Sequence, residues 1–399
     1  MTRQRVMFYC QHVLGMGHFV RSAEIVRGLH DFEVCFLNGG EIVSGFELPP
    51  SVEVINLPPL RSDAEFRDIQ TVDGANNLAA IKTERRERLL NEYERFRPDV
   101  LMIELFPFGR RKFADEIVPL LDRIQADGSR TKVVCSLRDI LVSKRDQARF
   151  DAQACELVNQ YFDLVLVHSD PAFQQLAETF PRAHDIQCPV RYTGFVAQRI
   201  SDHATVELKT DEHEKVIVVS IGGGRVGESL IDCALAASDL LAETQPHLML
   251  IFAGPYMPED QYQQFSARTA TRPRIRLERY ATNFTAYLKR ADLSVSMAGY
   301  NTCMNILATG VRAIVCPFTG NNNEEQTIRA MKLQNLGALA VIHPSQLSPA
   351  RLAAMMQAEL ERKATGTLMQ LQLNGAEQTA AALRELLAQG ATKAGEVAA

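Results

Sequence analysis

The sequence predicts an α/β protein of two Rossmann-like domains, each on a parallel sheet, facing each other across a deep cleft. Three observations predict it. Short apolar runs alternate with helix-length stretches nearly to the end of the chain, the pattern of strand–helix–strand units. The alternation pauses at a polar stretch, 197–215, and then restarts in the same style. With 399 residues, 46% of them hydrophobic, the chain can bury two cores.

Taken in order, the first strand is expected at 5–10, where Val6 to Cys10 form an uninterrupted apolar run. It breaks into Gly15-Met16-Gly17-His18, and a periodic stretch then reads as the first helix. Further strands are expected at 32–37, 52–56, 99–103, 132–136, 163–168 and 191–195, with helices between most of them. The segment 81–97 reads as a highly charged helix stopped by Pro98. Few large apolar residues occupy 197–214, so that stretch reads as an interdomain linker. The second domain, 215–375, carries strands at 215–224, 247–255, 274–280, 292–299, 312–318 and 338–344. From 346 to 391 the pattern is helical only. Residues 376–399 read as a C-terminal helix with a frayed tail, and 1–196 is the first domain.

Composition narrows the function. Forty-three basic against 48 acidic residues give a net charge of -5, unlike the basic surface of a non-specific nucleic-acid binder. Eight cysteines lie scattered without a CxxC pair or zinc spacing, as expected of thiols in a reducing compartment. Neither a signal-peptide core nor a membrane-length apolar run is present in the sequence. A cytoplasmic protein is expected, with no metal and no resident cofactor.

Ligands of parallel sheets bind beyond the carboxyl ends of the strands, so the residues there are the candidates. In the first domain they include Gly15, Gly17, His18, Asn38-Gly39-Gly40, Glu104, Arg138-Asp139 and His168. In the second they include Gly222, Gly223, Gly224, Arg225, Tyr280, Gly299, Tyr300, Asn301, Thr302, Asn305, and Asn322, Asn323, Glu324 and Gln326. The triple glycine follows the most apolar strand and precedes a helix, where backbone N–H groups and the helix dipole attract phosphate; a ligand-free tight turn would look the same. The first loop fails as a dinucleotide fingerprint, because Val20 stands where G-x-G-x-x-G needs glycine. His18 at a helix N-terminus favours the neutral imidazole, which suits a general base; it could equally cap the helix. Glu104 and Asp139 are the next candidates for the base. His168 precedes Ser169-Asp170-Pro171 and reads as structural.

The run Gly299, Thr302, Ala308, Gly310, Ile314 and Pro317, followed by Gln326, Arg329-Ala330, Leu333 and Gly337, resembles the nucleotide-binding half of GT-B glycosyltransferases. The nearest likeness is to family 28, which includes the N-acetylglucosaminyltransferase that makes lipid II. The loop ending in His18 is similar to that family's glycine-rich loop, and "GMGHFVR" equally resembles nucleotide-sugar hydrolases of nonulosonic acid synthesis. With "QHVLGMGHFVRS" and "ELFPFGRRKF" the whole chain resembles a bacterial branch of predicted glycosyltransferases.

The resemblance implies a GT-B fold and metal-independent, inverting transfer from a UDP-sugar to an acceptor hydroxyl. It places Gly222–Gly224 at the donor diphosphate, Tyr280 beside the base, Gly299 to Thr302 at diphosphate and ribose, and 321–326 at the sugar. His18 and its loop would face the acceptor or the reacting diphosphate. One departure is Asn305, where the family carries a ribose-binding glutamate. Nucleotide-sugar hydrolysis and a catalytically silent binding module are the alternatives. The acceptor is open, lipid-linked in one version, since "FPFGRRKF" joins aromatics to basic residues in a composition suited to an anionic membrane face; a solvated loop with buried phenylalanines explains the segment as well.

Overall fold

The computed structural model describes residues 3–12, 16–42, 47–62, 68–72, 77–144, 146–200, 206–320, 324–362 and 371–397. The chain divides into two units, Met1–Val196 together with Leu371–Ala399, and Ala197–Gln370.

In the first unit the strands are β1 (Arg5–Cys10), β2 (Glu33–Asn38), β3 (Val52–Asn56), β4 (Leu60–Ser62), β5 (Ile69–Thr71), β6 (Val100–Glu104), β7 (Lys132–Arg138), β8 (Leu164–His168) and β9 (Val190–Tyr192). The helices are α1 (Gly17–Gly28), α2 (Leu78–Phe96), α3 (Ala114–Ala126) and α4 (Gln147–Tyr161). Seven strands form one parallel sheet in the order β3-β2-β1-β6-β7-β8-β9. Helices cover both faces, so β1 and β6 are buried and apolar almost throughout. The chain moves one way from β1 to β2 and the other way to β6, which makes the β1/β6 edge the sheet's topological switch point. A small antiparallel pair, β4–β5, was not foreseen; three-residue strands carry too little alternation to read.

The second unit holds β10 (Lys215–Ser220), β11 (His247–Phe252), β12 (Ile275–Glu278), β13 (Leu293–Met297), β14 (Ala313–Cys316) and β15 (Ala340–Val341). Its helices are α5 (Glu228–Leu241), α6 (Glu259–Thr269), α7 (Phe284–Arg290), α8 (Tyr300–Thr309), α9 (Glu325–Asn335) and α10 (Pro349–Glu361). The sheet order β12-β11-β10-β13-β14-β15 is again all parallel, with its switch point at β10/β13.

The helix-only reading of 346–391 is corrected. Two helices, α10 and α11 (Gly375–Val397), flank a segment in which Val196 bridges Asn374 and the Phe195 N–H donates to Gln372 O at 2.7 Å. Backbone groups pair there between strand-like segments, and no helical ladder can form. The helix also continues to Val397, through the tail expected to fray. It packs on α1, where a Cβ at Gly28 would lie 2.8 Å from the Ala376 backbone, and Ala380 and Leu383 are buried. Among the described residues no helix is long and apolar enough to cross a membrane.

Candidate functional site

Each switch point carries a cluster of the predicted residues. In the first unit, pairing of Tyr9 with Ile103 sets the end of β1 beside the end of β6. The chain leaves β1 through the glycine loop and turns into α1, and His18 stands in that helix's first turn. Its Nδ1 lies 2.7 Å from Glu104 Oε1. His18 therefore does not cap the helix, and the N-cap Met16 makes no side-chain cap bond either. Glu104 is the last residue of β6 and has no exposed surface. Arg21, one turn after His18, donates Nη2–H to the same Oε1, and Arg110 Nε stands 3.7 Å from Oε2.

These contacts fix the protonation states. Burial alone would raise the Glu104 carboxyl, but His18, Arg21 and Arg110 outweigh it and hold it well below the usual carboxylate range. Burial pulls His18 down to about 4; Arg110 and Arg21 add to that, while Glu104 opposes it. About a fifth of the His18 side chain still reaches the surface. The neutral ring then donates Nδ1–H to the carboxylate, and Nε2 is left as a proton acceptor.

The remaining first-unit candidates are structural or lie elsewhere. His168 is buried, with Nε2 bonded to Ser136 Oγ at 2.8 Å and Nδ1 to Thr193 Oγ1 at 2.9 Å, and burial lowers it to about 3. It ties β8 to its neighbours. Asp139 is fully buried one residue past β7. Gly39 and Gly40 are required by packing, since a Cβ would strike Gln11 and His12. Gly17 opens α1 and is exposed, while Gly15 lies outside the described residues.

Sequence reasoning missed Arg85. It is fully buried, and its guanidinium donates to Glu116, Gln11 Oε1, Gly39 O and Pro58 O. That network holds Gln11 at the entrance to the glycine loop. The signal was present: Arg85 begins the stripe completed by Leu89, Tyr93 and Phe96 in α2. In "FPFGRRKF" Phe106, Phe108 and Phe113 are buried in the core, the second of the two readings of that segment.

In the second unit the triple glycine is a corner and not itself a helix start. Gly222 and Gly224 have φ of 70° and 88°, and α5 begins only after Gly227. A Cβ at Gly224 would lie 2.4 Å from Ala253 O, whereas one at Gly222 would meet nothing within 4 Å. Gly223 is half-buried between them, and exposed Arg225 stacks over Tyr256 at 5.0 Å. Across the switch point, Gly299 is the N-cap of α8, with φ of -64° and only Thr302 Oγ1, at 4.0 Å, near a built Cβ. Neither backbone conformation nor neighbours demand glycine there, so the backbone is left open to close approach. Asn301 and Thr302 follow in the helix's first turn.

Arg329 fixes this turn from beneath. Fully buried in α9, it donates to Ala298 O at 3.1 Å and to Glu325 at 2.7 Å, and it lies under the buried Tyr300 ring. Asn305 gives Nδ2–H to Gln198 Oε1 at 2.6 Å, and its buried Oδ1 has no partner among the described residues. Gln326 Oε1 accepts the Phe318 N–H at 3.0 Å, so that oxygen serves its own loop. Glu324 caps α9 without a side-chain bond, and Tyr280 is half-buried just past β12. Asn322 and Asn323 lie outside the described residues. Among the described residues no cluster of three His, Cys, Asp or Glu side chains is placed to hold a metal ion.

Residues 217–385 match the glycosyltransferase family 28 C-terminal domain. A UDP-N-acetylglucosamine–N-acetylmuramyl-(pentapeptide) pyrophosphoryl-undecaprenol N-acetylglucosamine transferase of Caldicellulosiruptor saccharolyticus is 22% identical over 55% of this chain and 58% of its own length. The Lactiplantibacillus plantarum protein of that name is 28% identical over 35% of this chain and 39% of its own. The matched chain thus spans between two fifths and three fifths of these relatives. Among solved structures, the calicheamicin glycosyltransferase CalG4 superposes with a TM-score of 0.58 at 16% identity, covering 99% of this chain and 98% of that one. MurG of Acinetobacter baumannii gives 0.56 at 14%, covering 96% and 99%. Residues 217–385 are a glycosyltransferase family 28 C-terminal domain, in a chain of GT-B fold.

Proposed function

We propose that the chain is a glycosyltransferase that moves a sugar from a nucleotide-diphosphate donor of UDP type to an acceptor hydroxyl. The observation that carries the reading is the His18–Glu104 pair at the β1/β6 switch point: a neutral imidazole, oriented by a buried carboxylate, with Nε2 open. In the transfer the acceptor O–H gives its proton to Nε2, and its oxygen bonds to the anomeric carbon. The bond from that carbon to the diphosphate oxygen breaks, and the nucleoside diphosphate departs. Attack opposite the leaving group inverts the centre. Glu104 stabilises the imidazolium that forms, as a buried carboxylate does for a catalytic histidine.

The second unit's edge is assigned to the donor. Open backbone at Gly222 and Gly299, with the N–H groups of the first turn of α8, would meet the departing charge, the electrostatic role of fixed dipoles. The reading routes that charge to backbone and to Arg225 and not to a metal. Asn305 takes the ribose, its unpartnered Oδ1 accepting a hydroxyl. The names of the family 28 relatives support a UDP-sugar donor and a lipid-linked acceptor, and a place of work at the inner face of the cytoplasmic membrane completes the proposal.

The test is product analysis with labelled UDP-sugars, with and without prenyl-diphosphate-linked acceptors. Acceptor-dependent label transfer that His18→Ala abolishes is the expected result. Release of free sugar at full rate without acceptor would assign the chain to hydrolysis, and absence of UDP binding in calorimetry would leave a silent module.

A further inference from the structure

In the first unit one buried side chain of α2 ties together the loops that leave β1, β2 and β3 at their carboxyl ends. Arg85 Nη1–H groups donate to Gly39 O, past β2, at 2.9 Å and to Pro58 O, past β3, at 2.6 Å. One Nη2–H donates to Gln11 Oε1, past β1. The rest of the fork closes on Glu116 of α3, Nε to Oε2 at 2.8 Å and Nη2 to Oε1 at 2.7 Å. All five N–H groups are thus taken, and Arg85 and Glu116 are both buried. A buried ion pair seldom stabilises a fold more than apolar packing would. A planar fork does something apolar packing cannot, since it fixes several acceptors in one geometry.

From Gln11 the ties lead to His18. Gln11 Nε2–H donates to His12 O at 3.1 Å, and the His12 ring packs on Phe19, the residue after His18, with centroids 5.6 Å apart. Phe19 in turn meets Phe36 of β2 at 5.8 Å. His12 Nε2 lies 3.1 Å from Asn38 Oδ1, and Asn38 Nδ2–H donates to Asn56 Oδ1 at 2.9 Å, so a second chain of bonds crosses the ends of the same three strands. Residues 13–15 lie outside the described residues, and the path from Arg85 through Gln11, His12 and Phe19 does not run through them.

We propose that Arg85 is a positioning residue for the reaction: through Gln11 and His12 it holds the first turn of α1 so that His18 stays paired with Glu104. Arg85 touches no reacting atom and acts only through the placement of the base. The role of His18 in the reaction rests on the transferase reading; the link from Arg85 to His18 does not. With the tie cut, the turn gains freedom, the imidazole gains water, and burial no longer holds its proton affinity down. Glu104, Arg21 and Arg110 are the charged groups facing His18 among the described residues. All three are kept in the variants below, so a change at His18 reports its placement.

Histidine NMR on the full chain tests the link without any substrate, the His18 signal being assigned by its loss in His18→Ala. In the unchanged protein His18, held at about 4, should not titrate between about pH 5.5 and 7.5. In Arg85→Met its midpoint should rise by about one pH unit or more, into or toward that window. Should Arg85→Met fail to fold, Gln11→Leu cuts the same path while leaving the bonds of Arg85 to Glu116, Gly39 and Pro58, and should raise the midpoint in the same direction. A purely structural arginine would lower the urea midpoint of the variants and leave the His18 titration of the folded chain where it was. That result in the folded variants, or a shift in Arg85→Met with none in Gln11→Leu, would overturn the proposal. With a UDP-sugar that reacts, the variants should lose about tenfold in kcat, with KM for the donor within twofold of the unchanged enzyme. An unchanged kcat beside a shifted His18 would overturn the positioning role and leave the transferase reading intact. Failure of every UDP-sugar to react, with the shift of His18 preserved, would instead remove the transferase reading and keep the link.

Discussion

At the β1/β6 edge a carboxylate, a histidine and two arginines share one knot, whereas at the β10/β13 edge the chain bares its backbone at Gly222 and Gly299. Both edges are switch points of the same kind of sheet, so topology supplies two equivalent crevices and residue type differentiates them. Handling a proton requires an ionisable side chain with a tuned pKa, which burial and neighbouring charges provide. Meeting a leaving diphosphate requires dipoles that do not reorganise, which backbone N–H groups at a helix start provide. The first edge is therefore built from ions held by ions. The second is built from glycines held by packing and by the buried Arg329.

Substitutions can break this contrast in graded steps. The largest effect is expected for His18→Ala, about 10³-fold in kcat, with UDP affinity unchanged by calorimetry. Because His18 sits at about 4 and not near its ordinary 6.5, the acid limb of kcat/KM in the unchanged enzyme should fall near pH 4. The same depression means that stability is full above pH 6.5 and is lost as pH drops toward 4. That loss should shrink in His18→Ala, read as urea midpoints across the range.

Next comes Glu104→Gln, about 10²-fold in kcat, since the Nδ1 proton loses its charged acceptor. It should also lower stability by about 3 kcal/mol, because Arg21 stays buried without its counter-charge; denaturant titration reads this. A Glu104→Gln enzyme of unchanged rate would separate the carboxylate from the base and dissolve the first half of the comparison.

The second edge should respond through backbone alone. Gly224→Ala puts a Cβ 2.4 Å from Ala253 O in a left-handed residue, and about 3 kcal/mol of stability should go, together with UDP binding. Arg329→Met removes the bonds to Ala298 and Glu325 and should cost about 2 kcal/mol, with a matching loss of UDP affinity. Gly222→Ala is the smallest, about 1 kcal/mol, because only the positive φ opposes it. If its UDP affinity falls far more than its stability, the open backbone there is a ligand surface.

How much of this was legible depends on the residue. His18 could be singled out because a loop after a first strand, opening a helix, is local in sequence. Its partner could not be chosen from sequence, since Glu104 is 86 residues away and equally readable as an exposed strand end. Arg329 looks like an ordinary charge of a polar helix, and Arg85 is marked in sequence only by sharing the register of Leu89, Tyr93 and Phe96; burial shows that both shape the loops beside them. The phenylalanines of "FPFGRRKF" suggested a membrane face because composition carries no direction; packing turned all three inward.

By itself the sequence determined the alternation of strands and helices, the two-domain α/β architecture and the loops where ligands meet strand ends, because hydrophobic periodicity and glycine placement act over a few residues. Tertiary structure decided the strand order, hence the switch points, and with them which charges meet. It paired His18 with Glu104 and sent the C-terminal helix back onto α1. Those outcomes depend on burial and on contacts between segments far apart in the chain, where desolvation and Coulomb interactions are decided by distance in space and not by spacing in sequence.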